Sequence, residues 1–269
     1  MLPNLKEPTI KRGLDPMYFD RRRSIEGALR WGGLITEPRF VVDVGANIGQ
    51  TLDAFLGWWP SARCLSLEPL PEAFAQLQVA AKKFGERAVV LNCGVGSKHG
   101  SMKLYASKTQ STTSSFLKFN RNAETVKAHR GLRDKPSHLE LADDDSYEVS
   151  VQVDSLDDLL MSRTSSNAGA WFARDGLDVL KIDTQGWELE VLSGSSAVLS
   201  QTRVVATEWQ FDDVYGEPAP LSILDQLLTQ AGFRLWDVSH IYKDLDTMRT
   251  LWVDLIYAKP PIQADSATR

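Results

Sequence analysis

Residues 40–50 read FVVDVGANIGQ, and this stretch decides the fold. A continuous apolar run such as residues 40–42 is typical of a parallel strand that is covered on both faces. Gly45 and Gly49 mark a tight turn into the helical pattern that follows. Ligands of open α/β sheets bind at the carboxyl ends of the strands, where such turns lie. The stretch therefore predicts a strand, a turn and a helix, with a ligand site at the turn.

Strand and helix patterns alternate along the rest of the chain. Apolar runs are separated by segments with helical spacing, such as LPEAFAQLQVAAKKFG at residues 70–85. The last two strand patterns, FRLWDV (233–238) and LWVDLIYA (251–258), have no helical pattern between them and are expected to pair antiparallel. We predict an α/β fold, with one mostly parallel, doubly wound sheet and an antiparallel edge strand.

The predicted domain covers residues 39–260. It is preceded by an N-terminal extension (1–38), with a helical pattern at 17–34, and followed by a tail (261–269). Residues 107–147 interrupt the alternation with a basic block and then an acidic block. An insertion of this length is usually a functional lid or a disordered loop. Pairing of the two charge blocks is the alternative.

The composition excludes several classes of partner. A net charge of −5 gives no general attraction to nucleic acid or to an anionic membrane. No run approaches about 18 apolar residues, and the N-terminus lacks the apolar core of a signal peptide. We therefore expect a cytoplasmic protein in which Cys64 and Cys93 are buried thiols. The sequence leaves open whether it forms a homo-oligomer.

The turn after the first strand indicates the kind of cofactor. A dinucleotide site favours G-x-G-x-x-G, whose second glycine lets the backbone approach a pyrophosphate. This chain has Asn47 at that position. It also has an acid, Asp43, which would repel a pyrophosphate but suits the ammonium and sulfonium of S-adenosylmethionine. Glu68, at the end of the second strand pattern, can accept hydrogen bonds from both ribose hydroxyls of such a cofactor.

Six motifs follow one another across residues 40–258. They read VVDVGANIGQ (41–50), LSLEP (65–69), STTSS (111–115), VDSLDDLL (153–160), LKIDTQGWELEVLSGS (180–195) and VVATEWQ (204–210). In this order they resemble the FkbM family of S-adenosylmethionine-dependent methyltransferases. The resemblance implies a single Rossmann-like class I methyltransferase domain. It also implies methyl transfer to a hydroxyl of a small-molecule acceptor, such as a sugar, a polyketide or another specialised metabolite.

Two other classes of function stay open. The first is a nicotinamide-dependent oxidoreductase, because the same α/β arrangement also carries dinucleotide sites. The second is a catalytically silent module that keeps the fold and the cofactor site. The insertion between Ser115 and Tyr147 is longer than the connection usual in the family, so the resemblance does not specify the substrate.

The expected binding residues lie at the strand ends and in the later motifs. The residues expected at the cofactor are Asp43, Gly45, Asn47, Gly49, Glu68, Pro69, Asn92, Cys93, Ser114 and Asp183. Many methyltransferases place an acidic residue near the adenine amino group, where this chain has Asn92 and Cys93. The contact with the adenine is therefore expected from a backbone amide or from the Asn92 side chain. Substrate contacts are expected from Thr113, from Gln185 as a hydrogen-bond donor, and from Trp187 as a stacking surface for a sugar ring.

The catalytic candidates follow from the chemistry of an aliphatic hydroxyl. Such a group is a poor nucleophile until its proton is removed or a metal acidifies it. Asp183 and Glu208 end neighbouring strand patterns, and Asp183 is the favoured general base. A divalent metal bound by Asp183 and Glu208 is possible but not favoured, because two carboxylates are too few ligands. The alternatives are acids that only hold loops or the cofactor, and a histidine base, His240.

Overall fold

The structure is a computed structural model. It describes residues 37–108, 111–120, 146–162, 167–243 and 248–260, together with Ile25, Leu29, Leu34 and Ile35. The predictions for the helix at 17–34, the tail and most of the insertion fall largely outside these residues.

Strands and helices alternate along much of the chain, although three strands between residues 88 and 107 follow one another directly. The strands are β1 (Phe40–Val44), β2 (Arg63–Leu67), β3 (Ala88–Leu91), β4 (Gly94–Val95), β5 (Gly100–Ser107), β6 (Ser146–Asp154), β7 (Leu177–Ile182), β8 (Thr202–Gln210), β9 (Arg234–Lys243) and β10 (Thr250–Ala258). The α-helices are α1 (Gln50–Trp58), α2 (Pro71–Ala81), α3 (Asn167–Asp175), α4 (Glu188–Ser193), α5 (Ser196–Ser200) and α6 (Leu221–Gln230). Within the described ranges, none of the helices has the length and apolar character of a membrane span.

Seven of the described strands form one sheet, in the order β3-β2-β1-β7-β8-β10-β9. The first five are parallel, and β10 runs antiparallel to both of its neighbours. The predicted doubly wound sheet, with its antiparallel pair at one edge, is therefore confirmed. The chain order reverses between β1 and β7, and the carboxyl ends of strands at such a point are where ligands bind.

The segment YEVSVQV, residues 147–153, does not join the main sheet. It lies in β6, which pairs with β4 and β5 in a separate three-stranded sheet of the described chain. The sequence analysis did not predict β5, although Met102, Leu104 and Ala106 alternate with more polar residues, as in a half-buried strand. The buried face of the small sheet packs against Leu70 and Ala73, at the start of α2. The small sheet therefore forms a wall beside the carboxyl end of β2.

The central strands are covered on both faces. Every residue of β1 and β7 is buried, as expected for the middle of a parallel sheet. Alternate residues contribute to two core clusters, Val42 and Leu180 to one and Val41 and Val179 to the other. Full burial of such a side chain contributes roughly 1.5–3 kcal/mol. Polar side chains in these strands therefore need a specific explanation.

Candidate active site

A cavity of about 360 Å³ lies at the carboxyl ends of β1, β2, β7 and β8. Its volume is in the range of small-ligand sites, roughly 300–1,000 Å³. The predicted residues that line it are Gly45, Asn47, Glu68, Pro69, Cys93, Thr113, Ser114, Asp183, Gln185 and Glu208. The structure thus brings together residues that are up to 163 positions apart (45 to 208).

The turn after β1 is held by bonds within the protein. The amides of Gly45 and Ala46 both donate to the carbonyl oxygen of Leu67, at 3.0 Å each. The amide of Asn47 donates to Glu68 Oε2 at 2.8 Å. Gly45 has φ +80°, and a Cβ there would lie 1.9 Å from the carbonyl oxygen of Asp183. Only glycine therefore allows the end of β7 to approach this turn so closely.

Glu68 ends the second strand with both carboxylate oxygens facing backbone donors. Oε2 accepts the hydrogen bond from Asn47, and Oε1 accepts one from the amide of Leu70 at 2.8 Å. Burial raises the pKa of Glu68 to about 7, although both hydrogen bonds oppose the shift. Each carboxylate oxygen has a further lone pair. Glu68 can therefore still accept two hydrogen bonds from a ligand.

Asn92 holds the turn that follows β2. Its side chain is exposed, and Nδ2 donates to the carbonyl oxygens of Glu68 at 2.8 Å and Pro69 at 3.0 Å. Asn92 does not line the cavity, whereas Cys93 does. The Asn92 side chain therefore shapes the turn through Nδ2, and its contact with an adenine stays a prediction. The backbone at Cys93 is the other predicted contact, and Cys93 lines the cavity.

Two carboxylates at the ends of β7 and β8 share one donor. Gln185 Nε2 donates to Asp183 Oδ1 at 2.7 Å and to Glu208 Oε1 at 3.2 Å. Burial, followed by the charges of Asp183 and Asp254, raises the pKa of Glu208 well above its usual value and favours its neutral form. Asp183 directly follows β7, and its side chain is 36% exposed. It is therefore the carboxylate with access to a ligand.

Lys181 is a site residue that the sequence analysis left without a role. It lines the cavity, and its Nζ lies 3.2 Å from Asp43 Oδ1 and 3.4 Å from Asp183 Oδ2. The sequence could have indicated this role, because Lys181 lies inside the apolar pattern LDVLKID and a buried ammonium needs a charged partner.

Asp43 lies beneath the cavity. Its side chain is fully buried and pairs with Lys181, and it is absent from the lining. The predicted direct contact with the cofactor charge is therefore corrected, since Lys181 holds this carboxylate. Gly49 also does not line the cavity. It packs against α2, and a Cβ added at Gly49 would lie 3.1 Å from Leu77 Cδ1.

Trp187 and His240 also lie off the cavity lining. Trp187 packs against Phe116, with ring centroids 5.4 Å apart, so it is a packing residue and not the predicted stacking surface. His240 lies inside β9, where its Nδ1 is 2.7 Å from Asp254 Oδ2. Asp254 stands opposite Glu208 in the β8–β10 pairing. His240 thus contacts Asp254 rather than the cavity, which corrects its predicted place at the rim as a base.

The described part of the insertion closes one side of the cavity. Ser111 Oγ donates to Asn47 Oδ1 at 2.8 Å, and Ser115 Oγ donates to the carbonyl oxygen of Gln185 at 2.7 Å. Thr113 and Ser114 between them line the cavity. The buried Ser114 Oγ has no hydrogen-bond partner among the described residues, so it is available to a ligand. The two histidines of the insertion, His129 and His138, lie outside the residues that the structure describes.

The described residues add no further metal ligand to Asp183 and Glu208. Among the residues that the structure describes, no group of three or more His, Cys, Asp or Glu side chains is arranged to hold a metal ion. Asp183 and Glu208 are joined through Gln185.

Comparison with known proteins identifies the family. Residues 43–235 match the model of the methyltransferase FkbM domain. The chain belongs to the FkbM methyltransferase family. The resemblance inferred from the six motifs is therefore confirmed, and the protein is a methyltransferase by family.

Two relatives support this FkbM assignment. The 2-O-methyltransferase NoeI of Sinorhizobium fredii is 25% identical over 190 residues, which cover 70% of each protein. The methyltransferase sdnD of Sordaria araneosa is 29% identical over 160 residues, 58% of this chain and 60% of its own length. A solved precorrin-6y C5,15-methyltransferase of Geobacter metallireducens aligns over 89% of this chain and 92% of its own, with 13% identity and a TM-score of 0.41.

Glu188 organises the turn between Asp183 and α4 in this FkbM domain. Its Oε1 accepts hydrogen bonds from the Thr184 amide at 2.9 Å, Thr184 Oγ1 at 3.0 Å and the Gly186 amide at 3.2 Å. Burial raises the pKa of Glu188 to about 6. This geometry favours support of the turn over direct help in catalysis.

We expect Glu188→Ala to lower the free energy of unfolding by about 1.5–3 kcal/mol, because three donors lose a charged acceptor. Glu188→Gln is the matched control, since its Oε1 can still accept.

The same residue predicts a pH dependence of stability. Folding raises the pKa of Glu188, so the parent protein loses stability as the pH rises from about 4.5 to about 6, and the Gln variant should not. Urea unfolding from pH 4.5 to 7.5 tests both points, and an Ala variant as stable as the parent would contradict the assignment.

Proposed function

We propose that this FkbM-family protein transfers the methyl group of S-adenosylmethionine to a hydroxyl of a small molecule. One observation carries the proposal. Glu68 and Asp183 line a single cavity from opposite sides of the Gly45 turn. Glu68 is placed to accept hydrogen bonds from a ribose, and Asp183 is placed to accept a proton. The name of NoeI as a 2-O-methyltransferase supports oxygen as the methyl acceptor, and a sugar, polyketide or other specialised metabolite is the proposed acceptor.

The hydrogen bonds of the turn favour this cofactor over a dinucleotide. A pyrophosphate would need free backbone amides at the turn. The amides of Gly45, Ala46 and Asn47 are already used by Leu67 and Glu68. Glu68 would accept the ribose hydroxyls, and the backbone at Cys93 would meet the adenine. The oxidoreductase hypothesis therefore has less support than methyl transfer.

The chemistry assigned to the chain is orientation and proton removal. When bound, S-adenosylmethionine supplies a methyl carbon whose bond to the positively charged sulfur breaks as the acceptor oxygen bonds to it, leaving a neutral thioether. Asp183 would take the proton of the acceptor hydroxyl. Gln185, which bridges Asp183 and Glu208, would hold that carboxylate in place. Alignment of two reactants can contribute roughly 7–11 kcal/mol at its upper limit.

We expect S-adenosylhomocysteine to stabilise the protein and NADH to have no effect. A ligand at 100 times its dissociation constant adds about 2.7 kcal/mol to the free energy of unfolding. Thermal unfolding with each ligand measures the difference. Stabilisation by NADH alone would favour the oxidoreductase. Stabilisation by neither ligand would contradict the cofactor assignment, and binding of S-adenosylhomocysteine without turnover of any hydroxyl acceptor would favour a silent module.

A further inference from the structure

Lys181 is a buried cation at the centre of the sheet. It is 6% exposed and stands opposite Asp43 in the pairing of β1 with β7. Removing an ammonium from water is unfavourable unless opposite charges and hydrogen bonds compensate. The proposed transfer assigns proton removal to Asp183 and cofactor binding to Glu68 and Cys93, and it gives Lys181 no role. The position of Lys181 therefore calls for a separate role.

The ammonium is shared between a buried carboxylate and a cavity carboxylate. It lies 3.2 Å from Asp43 Oδ1 and 3.4 Å from Asp183 Oδ2. Burial lowers the pKa of Lys181, but the charges of Asp43 and Asp183 outweigh burial and raise the pKa above its usual value. Lys181 consequently stays charged at neutral pH.

Asp183 is held by four contacts, two of its side chain and two of its backbone. Lys181 contacts Oδ2, Gln185 donates to Oδ1, and the backbone carbonyl fits against Gly45, where a Cβ would leave no room. The amide of Asp183 also donates to the carbonyl oxygen of Val44 at 3.0 Å. Of these contacts, only the one with Lys181 carries a full positive charge.

We infer that Lys181 is a positioning residue, which Asp43 fixes from below and which holds the Asp183 carboxylate as an anion facing the acceptor. This inference rests on the proposed role of Asp183 as the proton acceptor. It assigns Asp43 an indirect function, since the acid of the first motif would act on the reacting site through Lys181.

Several other titratable groups face Asp183, and they act in the opposite direction. They are Glu188 from α4, Glu208 from β8, Asp254 from β10 and Tyr215 from the loop after β8. Each is negative or neutral. Lys181 is therefore the contact expected to stabilise the charge of Asp183 against these neighbours.

The test compares Asp43→Asn, which keeps the ammonium, with Asp43→Asn/Lys181→Met, which removes it without leaving Asp43 as a buried charge. The readout is the titration of the Asp183 carboxyl carbon, followed by ¹³C NMR and assigned with Asp183→Asn. We expect the midpoint to lie about 1–3 pH units higher in the double variant than in Asp43→Asn. Affinity for S-adenosylhomocysteine should stay within a few-fold of the parent.

Equal midpoints in those two variants would overturn the inference. Lys181→Arg, which retains the charge, should keep the titration of the parent, and an upward shift as large as in the double variant would also overturn it. Arg203→Met is the matched control, because Arg203 pairs with buried Asp178 at 2.9 Å at the other end of β7 and β8. The titration needs no turnover, so it stays informative even if the proposed reaction fails.

Discussion

Asp183→Asn is expected to lower kcat by about 10²–10⁴-fold, which is the usual contribution of a general base. The amide fills the same space and can still accept from Gln185, but it cannot take a proton. Affinity for S-adenosylhomocysteine should remain within a few-fold of the parent, because the proposed ribose and adenine contacts lie at Glu68 and Cys93. Single-turnover kinetics with labelled cofactor and calorimetric titration separate the two effects.

Asp53→Asn is the matched control for this substitution. Asp53 lies on α1, where its exposed carboxylate pairs with Lys83 at 2.8 Å, and it does not line the cavity. Its kcat should equal that of the parent. A kcat within a few-fold of the parent in Asp183→Asn would remove Asp183 as the base.

A chelator distinguishes a base from a metal ligand at the same residue. If Asp183 and Glu208 bound a divalent cation, EDTA would abolish the activity of the unmodified protein, and Mg²⁺ or Mn²⁺ would restore it. We expect EDTA to leave the rate unchanged. Loss and recovery of activity in this experiment would replace the base by a metal site.

Glu68→Gln is expected to weaken S-adenosylhomocysteine binding by about 10- to 150-fold. This corresponds to about 1.5–3 kcal/mol for hydrogen bonds to a charged acceptor. The amide group would also set a donor against the amide of either Asn47 or Leu70, both of which now donate to the carboxylate. Calorimetric titration measures the change, and an unchanged affinity would contradict the proposed ribose contact.

The same residue predicts a pH dependence of binding. Burial raises the pKa of Glu68 to about 7, and ribose hydroxyls would donate to its ionised form. Binding should therefore release protons near pH 7, and the affinity should fall by up to about tenfold per pH unit below that. Titrations at pH 6 and pH 8 in buffers of different ionisation enthalpy measure both effects. Glu68→Gln should show neither, and an equal dependence in this variant would assign it to another group.

The sequence by itself determined which residues end the strands. The apolar runs and the glycine turn place Gly45, Glu68, Asp183 and Glu208 at the carboxyl ends of buried strands, and these side chains do line one cavity. This could be predicted because the periodicity and the turn residues are local properties of the chain. The parallel sheet followed from the same patterns, since strands alternate with helices.

Tertiary structure alone decided which side chains meet. Asp43 and Lys181 are 138 positions apart (43 to 181), and the pairing of β1 with β7 sets them opposite each other. The contact of His240 with Asp254 and the packing of Trp187 on Phe116 likewise depend on neighbouring elements. Periodicity states which end and which face a side chain occupies, but not which strand lies beside it. A charge in a buried strand therefore reveals that it needs a partner, while the register of the sheet determines which partner it has.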